Sequence, residues 1–550
     1  MGVFPKADLV LCNGVVFKGV NDGVAEALAV WKDRALATGT TSELKPLVGP
    51  ETCVLDLRGR FATPGLCDAH LHLLPLGLTL AELDVRPCRV RTLDELLGVI
   101  RSRAREVSRD EWILARGYDQ FQLDVKRHPL RDELDQVAPE NPVHLVRVCG
   151  HISIANSMAL RLAGVHEATP VPAGGIIEQH EGRLTGLLAE NARDAIKAVL
   201  PDPTDEDLVA AIEQAGQYGA TFGITSAMDA AVGMRCGYRE IAAYRKARHD
   251  GRLPLRTSLC LMGGPGGIVD HAYADGLMTG AGDELLTIGP VKLFADGSVG
   301  GRTAAMSSPY LGAPRTTGVF SFREDELRSM VQDYHARGYQ LAIHAIGDAA
   351  IDQVLAAYQA ALTHKPDLNR RHRIEHCAFS RLDQITRMAR LGIEPVTQPV
   401  FLHAFGDLYI AALGEERSAT AIPMRAWVDQ GLKPAASSDA PVCDPNPFPS
   451  LYAMTTRKTA RGTTLGAHEV LSREEALAAH TEFGAFVNKA EHHRGRLLPG
   501  LAADLAVFSK DLRTVEPDGL LTEVSCDLTI RGGQIIYATQ DDPGTKEQTW

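Results

Sequence analysis

The sequence predicts an α/β protein: a (β/α)8 barrel of the TIM type with a long insertion after its first strand, joined to a small β-domain built from both ends of the chain. Two observations carry this prediction. Eight short apolar runs, each ending in Gly, Asp, His or Pro, lie between Phe61 and about Val442, and helix-like stretches separate most of them. Strand alternating with helix eight times is typical of this barrel, whose catalytic groups lie at the carboxyl ends of its strands.

The predicted barrel strands follow one another along the chain. In order they read FATPGLCDAHLH, TFGITSAMDA, LRTSLCLMGG, GPVKLFADG, YQLAIHAIGD, RHRIEHCAF, IEPVTQPVF and KPAASSDAP. Stretches with apolar residues at helical spacing lie between them, such as REDELRSMVQDYHARG, DAAIDQVLAAYQAALTHK and RLDQITRMARLG. We assign residues 61–495 to this domain.

The two ends of the chain share a sequence pattern that differs from that of the barrel region. Short β-branched segments punctuated by Gly, Asn and Asp fill the first sixty residues, and similar segments, ADLAVFS and LTIRGGQIIYA, follow Gly500. The first and last segments therefore form one small β-domain, and the barrel lies between them in the sequence. We assign residues 1–60 and 496–550 to this composite domain.

A long insertion separates the first barrel run from the second. It covers about residues 75–218, roughly 145 residues, whereas loops of two to six residues are usual in α/β units. It contains an amphipathic stretch, TLDELLGVIRSRAREV, and segments that mix Gly with His, Asn and Glu. Loops of this length over a barrel mouth usually form a lid or substrate wall.

Composition and charge exclude several classes of function. The 550 residues are 45% hydrophobic and 23% charged, as in an ordinary globular protein with a large core. A net charge of −12 argues against nucleic acid or an anionic membrane as a partner. There is no run of 18 apolar residues, no leader-like start and no Cys-x-x-Cys pair among the ten scattered cysteines. We expect free thiols in a reduced, cytoplasmic setting and no membrane span.

The first barrel run ends in a pair of histidines. His70 and His72 fall on one face of a strand, because side chains alternate with period two. Two imidazoles at one strand end can hold the same metal ion. Asp68 shares their face, and either orients a ligand or caps a turn.

Polar side chains also end later runs. His344, His376 and Asp439 close the fifth, sixth and eighth runs, so the barrel should bring them to one mouth together with His70 and His72. Imidazole nitrogen and carboxylate oxygen are ligands of zinc and similar divalent ions. His372 shares the face of His376 but should lie deeper, and we leave it outside the ligand set.

Lys292, in the fourth run, does not fit a simple metal site. An inward lysine beside metal ions would be repelled and costly to desolvate. Either it snorkels or pairs with Asp296 on the same strand face, or its positive charge is removed.

The order His-x-His, Lys, His, His, Asp resembles the metal site of the amidohydrolase superfamily. The segments PGLCDAHLH, VKLFADGSVGGRTA, HAIGD, RIEHC and SSDAPV, with CGHISIANSMAL and GGIIEQHEGRLTGLLAENA in the insertion, resemble its YtcJ-like branch, which includes N-substituted formamide deformylase. The resemblance covers nearly the whole chain. It implies a barrel flanked by a β-sandwich from both termini, and a homodimer on resemblance alone.

The resemblance also implies roles for the six matched residues. His70 and His72 would hold the more buried metal, His344 and His376 a second one, and Lys292, carboxylated by CO2 to a carbamate, would bridge them. Asp439 would contact the first metal and its water. A single zinc-like ion beside an unmodified lysine remains the alternative.

These residues predict a metal-dependent hydrolase of a small molecule. Metal-bound hydroxide would attack an amide or N-substituted formamide and cleave a non-peptide C–N bond, with Asp439 as general base. His151, in the insertion, and Arg302, after the fourth run, are candidates for substrate binding, whereas His492 and His493 are typical of a charged surface. Two alternatives stay open: a heterocycle deaminase, against which Lys292 counts, and a non-catalytic regulatory relative, which usually lacks some ligands.

Overall fold

We analysed a computed structural model of the chain, which describes residues 5–87, 89–148, 150–172 and 174–539. Cys88, Cys149 and the outermost residues of the two terminal segments lie outside the described residues. In chain order the strands are β1 Leu9–Cys12, β2 Val15–Gly19, β3 Gly23–Ala25, β4 Ala27–Trp31, β5 Arg34–Gly39, β6 Cys53–Asp56, β7 Phe61–Pro64, β8 Leu66–Leu71, β9 Leu83–Asp84, β10 Ile113–Tyr118, β11 Val143–Arg147, β12 Ile152–Ala155, β13 Gly175–His180, β14 Arg183–Glu190, β15 Ile224–Val232, β16 Arg256–Met262, β17 Leu286–Phe294, β18 Leu341–Ala345, β19 Arg373–His376, β20 Glu394–Thr397, β21 Ala435–Ala436, β22 Leu505–Phe508, β23 Cys526–Arg531 and β24 Gln534–Ala538.

The α-helices connect these strands. In chain order they are α1 Thr41–Leu44, α2 Leu73–Leu80, α3 Leu93–Glu106, α4 Arg131–Val137, α5 Ser157–Leu162, α6 Asp194–Lys197, α7 Asp205–Ala220, α8 Arg239–His249, α9 Val269–Ala274, α10 Glu324–Ala336, α11 Asp348–His364, α12 Leu382–Leu391, α13 Pro399–Leu413, α14 Glu415–Ala419, α15 Met424–Asp429, α16 Phe448–Thr456, α17 Arg473–Ala479, α18 Glu482–Val487 and α19 Gly519–Thr522.

The barrel is a parallel eight-stranded sheet. Its strands pair in the order β8, β15, β16, β17, β18, β19, β20 and β21, so each of the eight predicted runs contributes one strand. Two backbone hydrogen bonds close the ring beyond the last regular strand: Asp439 N–H donates to His70 O at 2.9 Å, and His72 N–H donates to Ala440 O at 2.8 Å. The predicted barrel is confirmed, and its closing contact lies at the predicted metal ligands.

The barrel strands are buried on both faces, as parallel strands covered by helices must be. All six residues of β8 and all nine of β15 are buried. The helices predicted between the later runs are confirmed as α10, α11 and α12, and α12 stops where Gly392, at φ 63°, adopts the left-handed conformation that glycine tolerates.

Two sheets built from both ends of the chain form a sandwich. One has the order β5, β4, β1, β6 and the other β24, β23, β22, β7, β2, β3. Their inner faces share a core that includes Leu11, Val30, Leu505 and Ile530, all fully buried or nearly so. The first predicted barrel run divides between domains, because its opening residues, Phe61–Pro64, pair with β2 and β22 in this sandwich.

The insertion folds as a compact unit of its own, Leu78–Asp207. It contains a six-stranded sheet in the order β13, β14, β12, β11, β10, β9, which packs on α3 and α4 through an apolar core. The predicted helix is confirmed as α3, and Thr92 and Glu95 form a capping box at its start.

Of the eight described cysteines, five are buried, and these five are free thiols. Within the described ranges, no helix combines the length and apolar character that a membrane crossing requires.

Candidate metal centre

Five of the predicted ligands lie at or just beyond the carboxyl ends of barrel strands. His70 is on β8, His344 on β18 and His376 at the end of β19, while His72 and Asp439 follow β8 and β21. Because these strands are parallel and neighbours in one closed ring, their carboxyl ends meet at one mouth.

Three of these side chains converge on one buried point. One potential ligand atom from each of His70, His376 and Asp439 lies within 4.8 Å of the other two. His72 joins them, since its Nε2 lies 3.2 Å from Asp439 Oδ1, and His70 Nε2 lies 3.4 Å from the same oxygen.

Asp439 Oδ1 is buried, yet it accepts no hydrogen bond from any described residue. An unsatisfied buried carboxylate oxygen is costly unless a cation occupies the space before it. Burial alone would raise the pKa of Asp439, but the facing His70 and His72 outweigh burial and hold that pKa well below its usual range. An ionised carboxylate oxygen between imidazole nitrogens suits a divalent metal.

The backbone at two of these ligands is in an unusual conformation. His376 has φ 66° and Asp439 has φ 58°, in the left-handed region that residues other than glycine rarely adopt. Such strain concentrates at functional sites, where surrounding structure holds it. Here both residues belong to the buried cluster.

The rings of His344 and His376 lie side by side on the neighbouring strands β18 and β19. Their ring centroids lie 4.3 Å apart. His344 Nε2 donates to Gly297 O at 2.9 Å, and this bond leaves Nδ1 with its lone pair. Burial lowers the pKa of His376 well below its ordinary value, so the ring is neutral, the form that binds metals.

Lys292 is fully buried on β17, and its Nζ lies 3.5 Å from His70 Nε2. The Phe294 ring centroid is 4.8 Å from the same Nζ. Burial lowers the pKa of Lys292. Asp296, which sequence reasoning offered as a partner for Lys292, instead accepts backbone N–H bonds from Ala305, Ile346 and Gly347 at 2.8–3.0 Å.

Two buried residues behind the imidazoles were missed by sequence reasoning. Glu375 Oε2 accepts a hydrogen bond from His70 Nδ1. Gln398 Oε1 accepts one from His376 Nδ1 at 2.7 Å. Both contacts leave the Nε2 atoms of the two histidines free to face the cluster. The signal available for Glu375 was a pair of opposite charges, Arg373 and Glu375, within the short strand β19.

Asp68 connects β8 to the segment that carries Asp439. It accepts hydrogen bonds from Ser438 Oγ at 2.5 Å, from Ser438 N–H at 3.2 Å and from His70 N–H at 3.3 Å. Burial raises the pKa of Asp68 to about 7. Asp68 therefore holds the backbone of the proposed ligand His70 and of Ser438, the residue before Asp439.

The remaining candidates have the following surroundings. His151 belongs to the insertion unit, where its exposed ring faces Glu190 Oε2 at 2.9 Å. Arg302 is exposed in the turn after β17. His372 binds His335 rather than the cluster, and His492 and His493 are exposed.

The barrel and this polar mouth define a class of protein, the metal-dependent hydrolases with a (β/α)8 fold. The sequence profile of the amidohydrolase family matches residues 53–537, and the chain belongs to that family. The resemblance noted from the sequence is thereby confirmed.

Individual relatives agree with this assignment. The YtcJ protein of Bacillus subtilis (strain 168) is 31% identical over 542 residues, which cover 96% of this chain and 98% of that protein. The N-substituted formamide deformylase of Arthrobacter pascens is 30% identical over 522 residues, 92% of this chain and 94% of the enzyme. Among solved structures, an uncharacterized metal-dependent hydrolase from Pyrococcus furiosus superposes with a TM-score of 0.76 at 28% identity, covering 92% of this chain and 100% of that one.

Proposed function

We propose that this protein hydrolyses a non-peptide C–N bond in a small molecule, an amide or an N-substituted formamide. The observation that carries the proposal is the buried cluster of His70, His376 and Asp439, with one carboxylate oxygen left unsatisfied. The similarity to a formamide deformylase over nearly the whole chain supports the bond class.

The metal ligands in this proposal are six residues at one barrel mouth: His70, His72, Lys292, His344, His376 and Asp439. Their nitrogen and oxygen donors suit zinc or a similar divalent ion. When bound, such an ion supplies a water of lowered pKa and polarises the substrate carbonyl.

Asp439 is the general base in this scheme. Its Oδ1 takes a proton from the attacking water and returns it to the leaving amine nitrogen, so the carboxylate is regenerated in each cycle. The low pKa of Asp439 keeps the carboxylate ionised at neutral pH. Two neighbouring histidines, His70 and His376, are buried, so bulk water has little access to Asp439 from their side.

Lys292 completes the site as a carbamate. A lysine whose pKa is lowered by burial has a larger fraction of neutral amine. Its neutral Nζ attacks CO2, a nitrogen–carbon bond forms while one C=O π bond of CO2 becomes a carboxylate oxygen, and one nitrogen proton leaves to solvent, so that the neutral amine becomes an anionic carbamate. That change removes the repulsion between Lys292 and two ions. His151 and Arg302 remain candidates for substrate contacts, and activity of the R302A and H151A variants would test them.

Metal analysis and a substrate screen test the function together. The purified protein should contain divalent metal, and H70A/H72A should lose both the metal and all turnover. H492A/H493A, which removes two exposed histidines, should keep both. A native mass that includes one CO2 on the chain supports the carbamate, and an unmodified lysine would leave the one-metal alternative.

The screen should cover formamides, N-acyl amines, cyclic amides and aminated heterocycles. Amine release from an amide or formamide is the expected result. Ammonia release from heterocycles alone would instead identify a deaminase, and active enzyme without metal would overturn the proposed mechanism.

A further inference from the structure

The imidazoles of the metal centre differ in what stands behind them. His70 is backed by a carboxylate, Glu375, whereas His376 is backed by a neutral amide, Gln398. The two partners have different charges but the same geometric effect. Each partner fixes Nδ1 of its imidazole as the N–H donor. The lone pair of that ring is then on Nε2, which faces the cluster.

Glu375 is held as an ionised acceptor. Arg373 Nε donates to Glu375 Oε1 at 2.8 Å, and Arg373 Nη2 donates to Oε2 at 2.9 Å. Both side chains are fully buried. Because every donor to this carboxylate comes from Arg373 or His70, the imidazole must contribute its Nδ1 proton.

Arg373 is itself fixed at two further points. Its Nη2 donates to Ala69 O at 2.8 Å, on the residue before His70, and its Nη1 donates to Asn488 Oδ1 at 2.9 Å. The guanidinium therefore donates hydrogen bonds both to the backbone beside His70 and to the carboxylate behind the His70 ring. Rotation of the His70 ring would break this network.

Gln398 is held more weakly and carries no charge. Its Nε2 donates to Ser437 Oγ at 3.0 Å, and that hydroxyl donates to Thr397 O at 2.7 Å. These two hydrogen bonds orient the Gln398 amide so that its Oε1 faces His376. It does not place negative charge behind the ring.

We propose that Glu375, fixed by Arg373, is a positioning residue that makes His70 a stronger metal ligand than His376, so that the ion on His70 is bound more tightly than the ion on His344 and His376. A carboxylate behind an imidazole raises the basicity of the ligating nitrogen and fixes its orientation. The inference rests on the metal-dependent function proposed above.

Metal titration of the full-length protein tests the inference. Protein stripped with a chelator is titrated with Zn²⁺ against a chromogenic competitor, which reports each class of site. The wild type should show a tight and a weaker class. In E375Q the tight class should weaken by about 10–100-fold while the weaker class stays unchanged.

Glu394 provides a matched control. It is a buried carboxylate on the neighbouring strand β20, where it accepts a hydrogen bond from Lys433 N–H at 2.8 Å, and it touches no proposed ligand. E394Q should keep both classes of metal site. Thermal unfolding of each stripped variant separates loss of metal affinity from loss of fold.

E375Q leaves Arg373 buried without its counter-charge and can fail to fold for that reason. R373M/E375Q removes both charges together, and it should fold yet show the same weakening of the tight class. A wild type that binds no ion would contradict the proposed function. A wild type with one class of affinity, or variants that keep the tight class, would overturn the inference about Glu375.

Discussion

In the proposed mechanism, Asp439 combines a metal-ligand position with the proton transfer that hydrolysis of a C–N bond needs. Its Oδ1 faces His70 and His72, and the backbone N–H of the same residue closes the barrel by donating to His70 O. The backbone of Asp439 is therefore held by the closure of the barrel.

Asp439→Asn should separate metal binding from turnover. The amide keeps the shape and an oxygen ligand but cannot accept a proton, so metal content should persist while kcat falls by about 10²–10⁴-fold. Metal analysis and steady-state rates on the same preparation measure both effects. Asp444→Asn, the same change in an exposed loop residue that accepts a bond from Tyr218 OH, should leave the rate unchanged. A near-normal rate in D439N would mean that another group is the base.

At the scale of elements, periodicity predicted most of the barrel but not where its first strand begins. FATPGLCDAHLH is one uninterrupted apolar run, and burial alone cannot show that Phe61–Pro64 pairs in the sandwich while Leu66–Leu71 pairs in the barrel. The eighth strand, Ala435–Ala436, is only two residues long, and its position was predictable because Asp439 follows it.

The positions of the proposed ligands at strand ends could be predicted from the sequence, whereas their hydrogen-bond partners could not, for a physical reason. Ligands recur at strand ends, so the sequence position reports the spatial position. Glu375 precedes His376 by one residue, so strand alternation would place it on the other face of β19, and its bond to His70 reaches β8, a strand that does not pair with β19. Gln398 likewise follows β20 without any distinguishing pattern.

A second histidine pair shows how elements are joined away from the mouth. Leu341 N–H donates to His372 Nδ1 at 3.0 Å, and His372 Nε2 and His335 Nδ1 lie 2.9 Å apart. His335 Nε2 then donates to Lys365 O at 2.7 Å. This series of hydrogen bonds requires a neutral His372. It connects α10, β18 and the segments before β19.

The hydrogen bonds through His372 should make the free energy of unfolding fall in mild acid. Burial, with the nearby His335, Arg370 and Lys489, lowers the pKa of His372 well below its ordinary value. The unfolded chain binds a proton here below about pH 6.5 and the folded chain does not, so acid favours unfolding by up to about 1.4 kcal/mol per pH unit. H372N keeps an acceptor for Leu341 N–H but cannot titrate. Urea unfolding of both proteins with chelator at pH 7, 6 and 5 should give a shallower slope for H372N, and equal slopes would contradict this origin.

At the scale of the whole molecule, the terminal sandwich and the barrel belong to one compact unit. Arg256 on β16 and Asp504 before β22 join them through bonds of 2.7 and 3.1 Å. Arg531 on β23 donates to the carbonyls of Leu253 and Pro254, both at 2.7 Å. The 550 residues thus represent one embellished barrel and a separate insertion unit, and the acidic net charge says little about the chemistry at the mouth.

Asp504→Asn should therefore cost far more than a surface change in the same sandwich. Arg256 and Asp504 are buried, with side chains 8% and 4% exposed, so D504N leaves a buried guanidinium without its close counter-charge and should lower the free energy of unfolding by about 3–5 kcal/mol. Asn keeps an acceptor for Gly532 N–H, so the loss should be mainly electrostatic. The matched control is K510A, which breaks an exposed pair with Glu523 and should cost about 0–1 kcal/mol. Urea unfolding of metal-free protein measures both variants. If D504N and K510A prove equally stable, the Arg256–Asp504 pair does not hold the terminal sandwich to the barrel.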